Sequence, residues 1–246
     1  MHKLFKRILN LVYVPTCVNC KTRLYESDRC LCDDCFDKYL DEREKYCDFC
    51  GMSAHMCMCQ PHNMMINGCV DYRKLVFYPA GKKQNVVRSI VYSVKRRNNV
   101  PLAKFVAKEI ANEDKYSYGE DTIVTYCPRS IKNRKKYGYD HARLIAKEYA
   151  DIKGITFADA LKRNPFHKGT EQKLLNYSQR AANMQKAFFV KKEADVRGKT
   201  VILIDDVVTS GATMGECMSM LYDAGVKNVI CRSFAQTYKK NKSKKD

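Results

Sequence analysis

The densest chemistry in this 246-residue chain lies in one run, Val201-Ile-Leu-Ile-Asp205-Asp206-Val-Val-Thr209-Ser210-Gly211-Ala212-Thr213-Met214. Val201 to Ile204 is an apolar, β-branched-rich stretch of the kind a parallel strand shows when both of its faces are covered. Asp205 and Asp206 then stand at its carboxyl end, where open α/β sheets bind ligands, and adjacent carboxylates can accept hydrogen bonds from vicinal hydroxyls. Thr209 to Thr213 turns into a helix. Its small residues let a phosphate reach backbone N–H groups at the positive end of the helix dipole, and the hydroxyls of Thr209, Ser210 and Thr213 add donors. A strand, an acidic turn and a capped helix would account for any two of these features. All of them together, without spacers, point to a phosphorylated sugar.

Other elements must place that run. Gly225 suits the C′ position of the helix opened near Thr213, and Val229 to Phe234 returns as a strand, a strand-helix-strand unit. Thr122 to Cys127 is a second buried strand, so Pro128-Arg129-Ser130 falls on the same sheet edge and is a candidate pyrophosphate loop. Lys132, Arg134, Lys135 and Lys136 follow, and Asp140 is placed to cap a helix over Ala142 to Ala150. Cations here would stabilise the charge developing on a leaving pyrophosphate. Val86, Val87, Ile90, Val91 and Val94 recur at helical spacing ahead of Lys95-Arg96-Arg97, which either compensate the helix dipole or meet ligand phosphate. Pro101 opens a further helix through Ile110, and Tyr72 to Tyr78 reads as strand. Lys168 to Arg180 is polar and reads as a flap over the site or as a surface loop. Tyr126 and Phe166 could contact a base, but core packing is the simpler account. No glycine-rich fingerprint follows the first strand, which argues against a dinucleotide fold.

The amino-terminal part is of a different kind. Ten of the 13 cysteines lie between Cys17 and Cys69, and their close pairing favours zinc over disulfides. Cys17-x2-Cys20, Cys32-x2-Cys35, Cys47-x2-Cys50 and Cys57-x-Cys59 supply eight thiols for two tetrahedral sites. Sequential pairing gives Cys17, Cys20, Cys32 and Cys35 for one metal and Cys47, Cys50, Cys57 and Cys59 for the other; a cross-braced arrangement is equally compatible with the spacing. His55 and His62 are substitute ligands, and Cys30 and Cys69 are spare. The first 60 residues hold nine of the 45 Lys/Arg and nine of the 27 Asp/Glu, so the whole net charge of +18 belongs to the rest, which should attract polyanions. No stretch approaches the roughly 20 apolar residues of a membrane span. Met1 to Val14 reads as a short amphipathic helix without a cleavage site, so the expected location is cytoplasmic.

Asp205 to Thr213 resembles the 5-phosphoribosyl-1-pyrophosphate (PRPP) signature of type I phosphoribosyltransferases. That resemblance implies that Asp205 and Asp206 hold the ribose hydroxyls as the catalytic pair, that Thr209, Ser210, Gly211, Ala212 and Thr213 cradle the 5′-phosphate, and that Mg²⁺ accompanies the ligand. Arg129, Ser130 and Lys136 complete the expected PRPP-binding set. Along almost its whole length the chain resembles the ComF family, which joins a cysteine-rich zinc ribbon to a phosphoribosyltransferase-like domain. Lys136-Tyr137-Gly138-Tyr139-Asp140-His141 stands where that family commonly has Arg-Gly-Phe-Asn-Gln, and Gln172, Arg180, Asn183, Ala187 and Phe188 follow a later family stretch with looser spacing.

The expected fold is therefore α/β, a type I phosphoribosyltransferase-like parallel sheet flanked by helices and preceded by a small double zinc ribbon. The expected organisation is an N-terminal helix and ribbon over 1–66, the phosphoribosyltransferase-like domain over 67–238 and a basic tail over 239–246. The resemblance implies a PRPP-binding protein acting in DNA uptake, with a protein partner at the ribbon. The alternative is a non-catalytic accessory protein that senses PRPP or binds single-stranded nucleic acid through Lys95 to Arg97, Lys132 to Lys136 and Lys239 to Lys245, with Tyr137 and Tyr139 stacking on bases.

Overall fold

Strict alternation along the inner strands explains why they read as unbroken apolar runs. In the computed structural model, which describes residues 15–24, 29–79, 81, 84–96, 99–129, 138–165 and 187–237, Ile202 and Ile204 face one core and Val201 and Leu203 the other. Both faces of the sheet are thus covered, as a parallel sheet requires. The strands are β1 (Cys69–Tyr78), β2 (Thr122–Tyr126), β3 (Thr156–Phe157), β4 (Leu161–Arg163), β5 (Phe188–Val190), β6 (Thr200–Val208) and β7 (Asn228–Thr237). Five of them pair in parallel in the order β1-β7-β6-β2-β3, with Val124 opposite Ile202 and Ile202 opposite Ile230. β4 and β5 form a separate antiparallel pair.

The helices are α1 (Asp33–Arg43), α2 (His62–Met65), α3 (Val86–Arg96), α4 (Val100–Glu113), α5 (His141–Lys153) and α6 (Ala212–Asp223). Buried residues of α3, α4 and α5 cover one face, including Ile90, Phe105 and Ile145. Met214, Cys217, Met218 and Leu221 of α6 cover the other. The expected end of α6 holds: Gly225 has φ 88°, its N–H donates to Tyr222 O and that of Val226 to Leu221 O, a Schellman closure that leaves few residues but glycine at C′.

The chain leaves β2 through α5 toward β3, and leaves β6 through α6 toward β7, on opposite sides. The loops after β2 and β6 therefore diverge and open a crevice between neighbouring strands, the topological switch point where such sheets take ligands.

The cysteine-rich head shares a core with this sheet. Cys17, Leu24, Leu31, Cys35 and Tyr39 pack in one cluster with Phe105 and Phe234. Tyr39 stacks on Phe234 with centroids 6.0 Å apart and meets Phe105 edge-on.

One buried ionic knot ties the far side together. Arg232 of β7, 1% exposed, donates from Nε to Asp114 Oδ2 at 2.6 Å and lies 2.8 Å from Asp71 Oδ2. Tyr118 and Tyr149 hydroxyls also donate to Asp114. Burial works against the Asp114 carboxylate, but Arg232 and the tyrosines outweigh it and hold its pKa below the ordinary value. Asp114→Asn leaves the buried guanidinium with Asp71 but without its Nε partner, an expected cost of up to about 3 kcal/mol, readable in urea denaturation.

Candidate functional site

β6 runs four residues further than its apolar core suggests, so Asp205 and Asp206 lie within the strand, Asp205 opposite Ser233. Pairing with β7 on one side carries the strand past the point where β2 ends on the other. The strand presents the two acids to different surroundings. Asp206 is buried, with His141 Nε2 2.9 Å and Lys95 Nζ 3.2 Å from its Oδ2. Burial opposes its ionisation, but His141 and Lys95 outweigh that and hold the carboxyl far below the usual range. Asp205 is half-buried. Burial and then the neighbouring charge of Asp206 push its carboxyl well above the usual range, although Lys95 pulls the other way. The two acids thus stand in different surroundings: Asp206 is buried against Lys95 and His141, whereas Asp205 is the more exposed of the pair and the less readily ionised.

Both acids line a cavity of about 470 Å³ together with Lys95, Arg96, Cys127, Arg129, His141 and Thr213. Arg129 is locked in place, its N–H donating to Asp140 Oδ2 at 3.0 Å and its Nη1 to Lys95 O at 3.1 Å. Asp140 does sit at the N-cap position of α5, but its carboxylate serves Arg129 and makes no cap bond to its own helix. Tyr139 OH donates to Val94 O, so Tyr139 and Arg129 occupy carbonyls in the last turn of α3, and Lys95 is left to pair with Asp206. Tyr126 packs its ring on Phe157 and donates to Asp159 Oδ1 at 2.8 Å. It lines an adjoining cavity of about 590 Å³ that shares Arg129 and Arg163 with the first.

The 209–213 turn leads into the amino end of α6 and reaches the diacid cavity through Thr213. Thr209, Ser210, Ala212 and Thr213 are exposed, and Gly211 is the N-cap with φ 74°. A helix of this length leaves its first N–H groups without intrahelical acceptors, and that of Ala212 donates to Ser210 Oγ at 3.4 Å. A Cβ on Gly211 would come within 2.8 Å of Met64 Cγ and 2.9 Å of Pro61 Cβ, so both conformation and space demand glycine there.

Asp205, Asp206, Arg129 and Thr213 therefore meet at one crevice. Ser130, Lys136, the other cations of the 132–136 run, the expected flap over 168–180, Phe166, the 1–14 helix and the 239–246 tail lie outside the described residues. Lys95 and His141 are the site residues that sequence reading missed as partners of Asp206. Lys95 was visible only as one of three basic residues at a helix end, and His141 only as a departure from a family pattern.

The head resolves the choice left open by spacing. Cys17, Cys20, Cys32 and Cys35 form one cluster and Cys47, Cys50, Cys57 and Cys59 another, the Sγ atoms of each within 4.8 Å of one another. Each begins with the same knuckle: Cys17 N–H donates to Thr22 O and Lys21 N–H to Cys17 O, and Cys47 N–H to Met52 O and Gly51 N–H to Cys47 O. Lys21 and Gly51 both take positive φ at the matching position. Four soft thiolates in a tight group fit zinc. Lys74, 1% exposed, donates to Cys57 Sγ, Cys57 O and Cys59 O at 2.9–3.0 Å, placing a buried cation against a site that is net negative once metallated. His55 Nδ1 instead lies 3.1 Å from Arg43 O, and His62 opens α2.

Among the described residues no helix is long and apolar enough to cross a membrane. The model of the phosphoribosyl transferase domain matches residues 102–246. Competence protein ComFC of Streptococcus pneumoniae (strain ATCC BAA-255 / R6) is 24% identical over 209 residues, 84% of this chain and 87% of that protein. Among solved structures, an allosteric regulatory enzyme of purine biosynthesis is 22% identical with a TM-score of 0.41, covering 63% of this chain and 28% of that one. Adenine phosphoribosyltransferase from Leishmania tarentolae is 16% identical with a TM-score of 0.35, covering 67% and 82%. With a parallel sheet over the matched residues and two cysteine clusters ahead of them, the chain belongs to the phosphoribosyl transferase domain family, in the ComF arrangement.

Proposed function

We propose that the chain binds PRPP with Mg²⁺ in the crevice between β2 and β6 and acts, in the cytoplasm, in DNA uptake. One observation carries the reading: a diacid, a positive-φ turn at a helix amino end and a fixed arginine converge on a single cavity. Asp205 is the acid free to meet the ribose hydroxyls, because Asp206 is already engaged by Lys95 and His141. Asp206 orders the floor of the site and holds Lys95 and His141 beside the crevice. Turn 209–213 receives the 5′-phosphate on helix N–H groups and hydroxyls, and Arg129 and Arg96 face the pyrophosphate. Magnesium suits the donor set, since it keeps waters and phosphate oxygens and needs only a carboxylate from the protein; when bound it would neutralise pyrophosphate charge. The link to DNA uptake comes from the S. pneumoniae relative, a competence protein.

A second reading, a non-catalytic PRPP sensor or single-stranded nucleic-acid binder, is favoured by Lys95, Arg96, Arg129 and Arg163 around the same cavity and by the net charge of +18. Titration calorimetry separates the two. PRPP with Mg²⁺ is expected to bind saturably to wild type and not to the Asp205→Asn/Asp206→Asn double variant. Binding that persists in the double variant removes the PRPP site. Affinity only for single strands, falling linearly in log–log against salt, favours the second reading. Release of pyrophosphate in the presence of an acceptor distinguishes an enzyme from a sensor.

A further inference from the structure

Only three residues separate Cys59, the last thiol of the second cluster, from a side chain that holds the 209–213 turn. Asn63 of α2 donates from Nδ2 to Ser210 O at 2.9 Å, across 147 residues of sequence, and its own carbonyl accepts from Asn67 Nδ2 at 2.7 Å. Met64, fully buried, and Pro61 press on Gly211 so closely that any Cβ there would collide. One helical turn further on, a Cβ at Gly215 would come within 2.7 Å of Asn63 O. Glycines at 211 and 215 share a face of α6, and that face is cleared for this segment. The segment is anchored at both ends. Lys74 of β1 grips Cys57 and Cys59, and Tyr222 OH of α6 donates to Gly68 O at 2.6 Å.

We infer that the second cysteine cluster is the mount of the phosphate-binding turn, with Asn63 as the positioning residue that fixes Ser210, so that metal held by Cys47, Cys50, Cys57 and Cys59 sets affinity for the 5′-phosphate end of the ligand. The inference rests on the PRPP reading of that turn. It follows from chain geometry. Collapse of the cluster releases residues 57–59, the adjoining α2 loses its fixed end, and the turn loses the Asn63 clamp on Ser210, keeping the Thr209–Thr237 hydroxyl contact at 3.2 Å on its other side. Asn63 touches backbone only, so it alters where the N–H groups of the turn lie and not which groups are present.

The experiment uses the full chain and two probes, ribose 5-phosphate and Mg²⁺-pyrophosphate, measured by titration calorimetry alongside zinc content and melting. Asn63→Leu keeps the approximate size, loses the donor and adds no charge beside the turn. It is expected to weaken ribose 5-phosphate on the order of tenfold, the loss of about one hydrogen bond's worth of positioning, with Mg²⁺-pyrophosphate affinity and two zinc per chain unchanged. Cys50→Ser, with one zinc per chain, is expected to show the same selective loss. Equal ribose 5-phosphate affinity in wild type and Asn63→Leu overturns the inference, as does an equal loss of both probes, which would be a general structural effect. A wild-type chain that binds neither probe overturns the PRPP reading itself, and is thereby told apart.

Discussion

Asp205→Asn is expected to melt above wild type at neutral pH while losing PRPP. The reason is the uneven pair. Asp205 holds its proton more tightly folded than unfolded, because burial and then Asp206 disfavour its charge. A carboxyl raised in this way is no burden below the unfolded value near 3.8, and costs stability as pH climbs toward the folded value, where the unfolded chain has already released the proton. Asparagine does not titrate, and its Oδ1 can still accept the Asp206 N–H that now reaches Asp205 Oδ1 at 2.9 Å. The gap in melting temperature between variant and wild type should therefore vanish below about pH 3 and grow toward about pH 8, as scanning calorimetry at the two pH values will read. A gap independent of pH would show that the charge on Asp205 is not what costs stability. Asp206→Asn should behave in the opposite sense. Its ionised carboxylate, held down by His141 and Lys95 against the effect of burial, stabilises the fold above the unfolded carboxylate value and is lost only in acid, so its removal leaves Lys95 and His141 facing an amide.

Metal removal is expected to have the largest effect of all. Each structural zinc supplies about 10–16 kcal/mol of apparent binding free energy at neutral pH, and at about 2–4 °C per kcal/mol a strong chelator should lower the melting temperature by at least about 20 °C or leave no transition. The whole chain should fall together, because the first cluster and the sheet share a core. Tyr39 of α1 lies between Phe105 of α4 and Phe234 of β7, Tyr39 OH donates to Glu109 at 3.0 Å, and Arg43 lies 3.2 Å from the same carboxylate. Calorimetry with and without chelator, with zinc counted per chain, tests this. A small early transition followed by an unshifted main one would mean that the head melts as an independent unit.

Sequence by itself determined the parts whose signal is local. The β6 run, the diacid, the small-residue turn, the Gly225 stop of α6 and the eight cluster thiols each lie within a few consecutive residues, where backbone geometry and side-chain chemistry impose their pattern directly. Tertiary structure decided the rest. Sequential pairing of the cysteine pairs, the Lys95–Asp206–His141 trio, the Asn63 clamp on Ser210 and the Arg232–Asp114 knot join residues brought together by strand order and helix packing, the last two across 147 and 118 positions. A lysine at a helix end or an asparagine in a linker has the same composition whether it faces water or a buried carboxylate. Burial is what turns such a residue into a site element, because only there does an unpaired charge or donor cost enough to dictate its partner.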